Sequence, residues 1–168
     1  KAEIRGSYLN GFTQHISVIP FVVVLFCQKQ LDYLWHISKD NDVVLFFDGT
    51  GTLCQKLPKP FEQKAIQYYA MVAKPRIGVE AVPVLEFYTG RQDVETIEMC
   101  LRAFFYSYKK YFEIRGRAYR VARVEIDFSK ALLAAVISVY QGLDTEGYIR
   151  TLWNSMNAEG QIGRPFSA

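Results

Sequence analysis

The chain has 168 residues, of which 50% are apolar and 22% are charged. That length suits one domain with one core, since domains most often hold about 100–150 residues. Aromatic residues make up 15% of the chain, whereas it holds only 11 Gly and 6 Pro. This composition excludes the disordered, low-complexity and collagen-like classes.

The net charge of +3 is small, but the positive charge is concentrated in one segment. Residues 109–123 carry six basic side chains and one acidic side chain, so this segment is strongly positive and the rest of the chain is slightly negative. Such a cluster is typical of a solvated helix end or of a surface that faces phosphates. The candidates for nucleic-acid contacts are Lys109, Lys110, Arg115 and Arg117.

The cysteines and the apolar runs bear on the cellular compartment of the chain and on whether it is anchored in a membrane. Cys27, Cys54 and Cys100 are widely spaced and form no C-x-x-C pair. This pattern predicts neither a disulfide framework nor a zinc site, and it favours a reducing, intracellular compartment. The longest apolar run, residues 16–27, contains Pro20 and is far shorter than the roughly 20 residues of a membrane span. The sequence therefore predicts no membrane anchor.

Apolar periodicity predicts an ordered series of strands and helices. Residues 1–42 are predicted to form an N-terminal extension with one strand at 22–26 and one helix at 30–35. Residues 43–168 are predicted to form the main domain. Its predicted elements are strands at 43–47, 65–73 and 81–89, a helix from Asp93 to Lys110, a strand at 121–126, and helices at 130–140 and 144–153.

Two aspartates follow apolar strands in equivalent positions, Asp48 after residue 47 and Asp127 after residue 126. In this order of elements the first three strands can form an antiparallel meander, and the crossover helix returns the fourth strand parallel to the first. Both carboxylates then lie at one edge of the sheet, where a cation between them offsets their repulsion. Their oxygens favour Mg²⁺ or Mn²⁺, which supports phosphodiester transfer. Singly, either aspartate could also cap a turn or a helix.

Five different short motifs follow one another over most of the chain, from about residue 11 to residue 153. They are Pro20-Phe21 with Gln30-Leu31, Phe47-Asp48-Gly49-Thr50-Gly51-Thr52-Leu53, Gln67-Tyr68-Tyr69-Ala70, Val82-Pro83-Val84-Leu85-Glu86, and Ile126-Asp127-Phe128-Ser129-Lys130-Ala131-Leu132. Their order and spacing resemble the catalytic domain of Mutator-like transposases and of host proteins derived from them. The individual motifs are degenerate, so the resemblance depends on the order in which they occur along the chain.

The resemblance implies an α/β, RNase H-like mixed sheet, made of an antiparallel three-strand meander plus a parallel strand, with flanking helices. It also implies a DDE triad in which Asp48 is the first acid and Asp127 the second, both as catalytic residues and as ligands of Mg²⁺ or Mn²⁺. DNA is the implied partner, the nucleus the implied location, and a homo-oligomer is compatible with it.

The third acid of such a triad lies on a helix beyond a fifth strand. No fifth strand is predicted after Trp153, and Glu159 lies in a glycine-flanked tail that makes it a poor candidate. We therefore expect either a domain that is incomplete at its C-terminal end or a copy that has lost its catalytic activity.

An alternative interpretation concerns the segment from Asp48 to Leu53, which is also similar to the nucleophile loop of haloacid-dehalogenase-like phosphatases. Asp48 would then take up a phosphoryl group, Thr89 would hold it, Lys109 or Lys110 would neutralise its charge, and Asp127 would help to bind Mg²⁺. Phe46 and Thr50 depart from the acids usual in that loop. This interpretation requires a strand, a helix and a parallel strand across residues 43–90.

A third interpretation is a non-catalytic module that keeps an RNase H-like scaffold for contacts with DNA or with protein. The basic cluster at 109–123 and the lack of an identified third acid both favour it. It predicts DNA affinity that falls with salt and does not depend on Asp48 or Asp127.

Overall fold

A computed structural model describes residues 11–39, 43–54, 65–74, 80–118, 121, 123–127 and 129–162 of the chain. Within these residues, the chain forms six strands and four helices, which makes it an α/β protein. In chain order they are β1 (Thr13–Val18), β2 (Phe21–Leu25), α1 (Gln28–Ile37), β3 (Val44–Cys54), β4 (Ile66–Lys74), β5 (Val82–Thr89), α2 (Val94–Ile114), β6 (Arg123–Ile126), α3 (Lys130–Gln141) and α4 (Thr145–Ile162).

The strands form one mixed sheet in the order β1-β2-β5-β4-β3-β6. Strands β3, β4 and β5 make an antiparallel meander, and β6 pairs parallel with β3 after the crossover through α2. A right-handed crossover helix is the usual way to join two parallel neighbours. The predicted meander with one parallel strand is therefore confirmed.

The N-terminal strands β1 and β2 extend the same sheet beyond β5, at the edge opposite β6. β2 pairs antiparallel with β5, and β1 pairs antiparallel with β2. The predicted strand and helix of the 1–42 segment correspond to β2 and α1, whereas β1 was not predicted. Most side chains of β1 are exposed, so the segment lacks the buried alternation by which a strand is recognised.

The core lies between the helices and one face of the sheet. In the central strands, residues that point to this face are buried, as are Leu45 and Phe47 of β3. α2 contributes the largest set of buried helical side chains, at spacings of three and four residues: Ile97, Leu101, Phe104, Tyr108 and Phe112. On the other face of β3, Phe46, Asp48 and Thr50 are exposed.

The helix ends follow local capping chemistry. Asp93 accepts a hydrogen bond from the backbone amide of Thr96 at the start of α2, and Ser129 accepts one from Leu132 at the start of α3. Gly142 ends α3 with φ +67°, a left-handed conformation that favours glycine. None of the helices in the described ranges combines the length and the apolar character that a membrane crossing requires.

Candidate functional site

Asp48 and Asp127 are placed beside each other by the register of β3 and β6. Phe47 pairs with Ile126 in the last of four parallel pairs, and each aspartate is the next residue along its own chain segment. Neighbouring strands lie about 4.8 Å apart, so the backbones at the two aspartates are adjacent. Both side chains are exposed. The structure therefore brings the two predicted acids to one edge of the sheet.

Asp48 is held outward by the alternation of β3. Its neighbours in the strand, Phe47 and Gly49, face the core side, and its backbone pairs with Ala70 of β4. One carboxylate oxygen, Oδ1, accepts a hydrogen bond of 2.7 Å from the backbone amide of Gly49. That bond limits the side-chain rotation of Asp48 and directs its carboxylate along the strand.

Tyr69 lies on the core side beneath this edge. It pairs with Gly49 across the strands, and its ring stacks on Phe87 with centroids 4.8 Å apart and an interplanar angle of 16°. A Cβ atom on Gly49 would lie 2.7 Å from Cδ1 of Tyr69 and closer still to Cε1. Glycine at position 49 is therefore what allows the aromatic ring to lie across β3.

Two carboxylates act on the phenol of Tyr69. Burial raises the pKa of Tyr69 above its usual value, and the negative charges of Asp127 and Asp93 raise it further. Both acids therefore lie within electrostatic reach of the phenol. The backbone register links Asp127 to Asp48, and the phenol of Tyr69 links Asp127 to Asp93. We refer to these four residues as the acidic edge.

Asp93 reaches the acidic edge through the end of β5. Thr89, the last residue of β5, pairs with Gln67, which in turn pairs with Gly51 near the end of β3. The buried hydroxyl of Thr89 accepts a hydrogen bond of 3.0 Å from the amide of Arg91 and donates one of 3.1 Å to its carbonyl. These two bonds set the turn that leads into Asp93 and α2.

Sequence reasoning did not include Asp93 and Tyr69 in the site. Asp93 was interpreted only as the start of a helix, and Tyr69 only as part of a strand motif. The one local signal was that Asp93, like Asp48 and Asp127, follows an apolar strand closely. The relation to Asp127 depends on which strands are neighbours, and this information is not local.

The acidic edge offers two carboxylates to a metal ion. Among the described residues, no three His, Cys, Asp or Glu side chains converge to hold one ion. Oδ1 of Asp93 is engaged by the amide of Thr96 at 2.8 Å, which keeps this carboxylate in its cap. Mg²⁺ is commonly bound by one or two carboxylates, with water and substrate phosphates completing the shell. Asp48 and Asp127 are the residues that would hold such an ion.

The four basic candidates belong to the far end of α2. The ammonium of Lys109 lies 3.9 Å from Glu113, and that of Lys110 lies 5.6 Å from the ring centre of Tyr106. Arg117 is exposed. Arg115 is only 25% exposed and pairs with Asp32 of α1 at 3.1 Å. Arg115 therefore joins two helices and does not present its charge freely to a ligand.

The basic candidates and the acidic edge lie at opposite ends of the molecule. α2 has 21 residues and is therefore about 30 Å long, and it begins beside Asp93 and ends before Arg115. Arg123 likewise pairs with Val44 at the start of β3, whereas Asp48 follows the last parallel pair. The structure does not bring Lys109, Lys110, Arg115 or Arg117 to the two aspartates.

The topology argues against the phosphatase interpretation. β4 follows β3 in the sheet as its antiparallel neighbour, whereas that interpretation requires a parallel strand after a helix. Thr89, its second candidate residue, is fully buried and its hydroxyl is bonded to the backbone of Arg91. Neither observation suits a phosphoryl-binding loop.

The two carboxylates at the acidic edge therefore define the candidate site. In comparisons with known proteins, the chain matches no family model, no curated protein and no solved structure.

Proposed function

We propose that this chain is a transposase-derived, RNase H-like domain that cleaves or transfers DNA phosphodiesters with Mg²⁺ or Mn²⁺, bound by Asp48 and Asp127. The supporting observation is the parallel register in which Phe47 faces Ile126, because it sets the backbones of the next residues, Asp48 and Asp127, side by side. A nuclear location is part of the proposal, since its substrate is DNA.

The fold fixes the backbone positions of the two aspartates. Asp48 lies within β3, which pairs with β4 on one side and with β6 on the other, so its Cα position is well defined. Asp127 lies between the end of β6 and the cap of α3 at Ser129, and both of these fix the local backbone. Both carboxylates are exposed, which leaves room for a phosphodiester to approach. The divalent ion would supply charge stabilisation and an activated water or 3′-hydroxyl.

The test compares Mg²⁺- or Mn²⁺-dependent nicking and strand transfer on DNA by the native chain, Asp48→Asn and Asp127→Asn. We expect each substitution to lower the rate by about 100-fold or more, because several kcal/mol of charge stabilisation depend on the pair. Glu95→Gln is the matched control, since it removes one exposed acid from the first turn of α2 and leaves the pair intact. Equal rates in all four proteins would remove both aspartates from any catalytic role.

A non-catalytic DNA-binding module is the second candidate function. The observation that favours it is that, in the described part of the chain, no third acid joins Asp48 and Asp127 in a group that could hold a metal ion. It predicts DNA affinity that falls with salt and is the same in Asp48→Asn and Asp127→Asn. In that case Lys109→Ala and Arg117→Ala lower the affinity, because both side chains are exposed at the end of α2. Metal-dependent cleavage by the native chain would exclude it.

A further inference from the structure

Most of α4 has no partner among the described residues. Its first turn lies against α3, where Tyr148 shares a small cavity with Tyr140 and Gln141. Every side chain from Ile149 to Asn157 is exposed. The helix thus leaves the body of the domain after Tyr148 and continues into solvent.

The exposed part of α4 carries an apolar stripe. Ile149, Leu152, Trp153 and Met156 follow one another at steps of three, one and three residues and share one face of the helix. They are 60%, 45%, 65% and 68% exposed, respectively. The remaining faces are polar. The stripe is therefore a contiguous apolar surface of the kind that marks an interaction site.

A helix of this composition needs support from packing. Thr151, Asn154 and Asn157 have low helix propensity, and Gly147 adds backbone freedom near the start. Isolated helices shorter than about 12–15 residues are marginal in water even when their propensity is high. The ion pair between Arg150 and Glu146, at 2.8 Å, is fully solvated and contributes little. Burial of the apolar stripe is the remaining source of stability.

We infer that α4 pairs with α4 of a second copy of this chain, antiparallel, across a two-fold axis between Leu152 and Trp153. This axis places Ile149 of one copy opposite Met156 of the other, and Leu152 opposite Trp153. All four contacts are apolar, and the same surface serves both copies, as an isologous interface requires. The inference does not depend on the proposed catalytic function.

The exposed area suits a pair of copies. The four side chains of the stripe expose on the order of 500 Å² in each copy, so their complete burial removes at most about 1,000 Å² from water, about the minimum for a specific interface. Trp153 supplies the large aromatic anchor that such interfaces use. Because the area is at the lower limit, we expect a weak dimer that dissociates on dilution.

The first test is the sedimentation of the 168-residue chain at 1–200 µM, with far-UV circular dichroism as a check on folding. We expect a dimer with twice the mass of one chain for the native protein and for Asn154→Glu, which changes the polar side of α4. We expect a monomer with the native β signal for Trp153→Glu. A native chain that stays monomeric at 200 µM overturns the inference, and so does a dimer that survives Trp153→Glu.

A second test examines the antiparallel geometry. Ile149→Glu and Met156→Lys should each be monomeric, because each homodimer would bury two unpaired charges. An equimolar mixture of the two variants should restore association, since the axis places residue 149 of one copy opposite residue 156 of the other. The double variant should also dimerise, and its association should weaken with salt. A mixture that remains monomeric contradicts the antiparallel pairing.

Discussion

Gly49 lies against the ring of Tyr69, its partner on the neighbouring strand. The missing Cβ lets the ring stack on Phe87 beneath the edge where Asp48 and Asp127 come together. A glycine inside a strand normally weakens it, because it adds backbone entropy and removes a side chain that could pack. Here the glycine accommodates an aromatic ring of the core, so we expect this position to resist substitution.

Gly49→Ala should lower the free energy of unfolding by about 1–3 kcal/mol, because the added methyl group overlaps the Tyr69 ring, which its stacking holds in place. Urea unfolding followed by tryptophan fluorescence measures the loss. Gly51→Ala is the matched control on the same strand. Its Cβ would lie 2.9 Å from Oε1 of Gln67, the end of a flexible side chain that can move. Equal losses in the two variants would contradict the role given to Gly49.

Tyr69 should make the protein sensitive to alkaline pH. Its pKa is raised by burial and by Asp127 and Asp93, whereas in the unfolded chain it is about 10. The stability that depends on the protonated phenol is therefore fully present below about pH 10 and is lost as the pH rises from there through the folded pKa. Tyr69→Phe should lose less stability than the native chain between pH 10 and pH 11.5.

Asp127→Asn tests the electrostatic part of that shift. Removing this charge should lower the pKa of Tyr69 towards its usual value, while the contribution of burial remains. Absorbance at 295 nm during a pH titration, with Tyr69→Phe as the reference, reports the change. An unchanged titration would place Asp127 beyond electrostatic reach of the phenol.

Asp93 should contribute to stability at neutral pH through its cap on α2. Burial opposes its ionisation, but hydrogen bonds from Thr96 and the charge of Arg91 outweigh that effect and hold the pKa of Asp93 below its usual value. The contribution is therefore present above the unfolded pKa and is lost as the pH falls through the folded pKa. Asp93→Ala should cost about 1 kcal/mol at pH 7 and less near pH 3.

Asp93→Asn is the matched control for the cap, because asparagine keeps an oxygen that can accept from the Thr96 amide but carries no charge. We expect it to retain most of the stability at pH 7 and to lack the acid dependence of the native chain. Thermal unfolding at pH 7 and pH 3 measures both effects. An alanine variant as stable as the asparagine variant at pH 7 would contradict the capping role.

Arg115 should behave as a structural residue, in contrast to its neighbour Arg117. Its guanidinium pairs with Asp32 at 3.1 Å and stacks on the ring of Tyr111 at 3.7 Å. Arg115→Ala should therefore lower the free energy of unfolding by about 1–2 kcal/mol, since it removes a half-buried ion pair and a cation–π contact. Arg117→Ala, at an exposed position, should change it by about 0.5 kcal/mol or less. Urea unfolding of both variants distinguishes them, and equal stabilities would refute the assignment.

Much of the architecture was predictable because it depends on local patterns. The apolar stripe of α2 and its cap at Asp93 identify a helix whatever it packs against, and the apolar segments before Asp48 and Asp127 identify strands. The order of these elements then limits the pairing to a few topologies, of which the observed meander with one parallel strand is one. β1 was missed because it is an edge strand with few buried residues.

The sequence by itself determined the types of most elements and singled out the two aspartates, because periodicity and residue chemistry act within a few residues. It placed Asp48 after the end of a strand, whereas β3 continues through Asp48 to Cys54. Only the tertiary structure decided that Asp127 and Asp93 lie within electrostatic reach of Tyr69, and that Lys109 and Lys110 lie about 25 Å along α2 from Asp93. It also decided that Arg115 is held by Asp32. These relations join residues that are far apart in the chain, and they depend on strand register and helix packing, which local sequence does not encode.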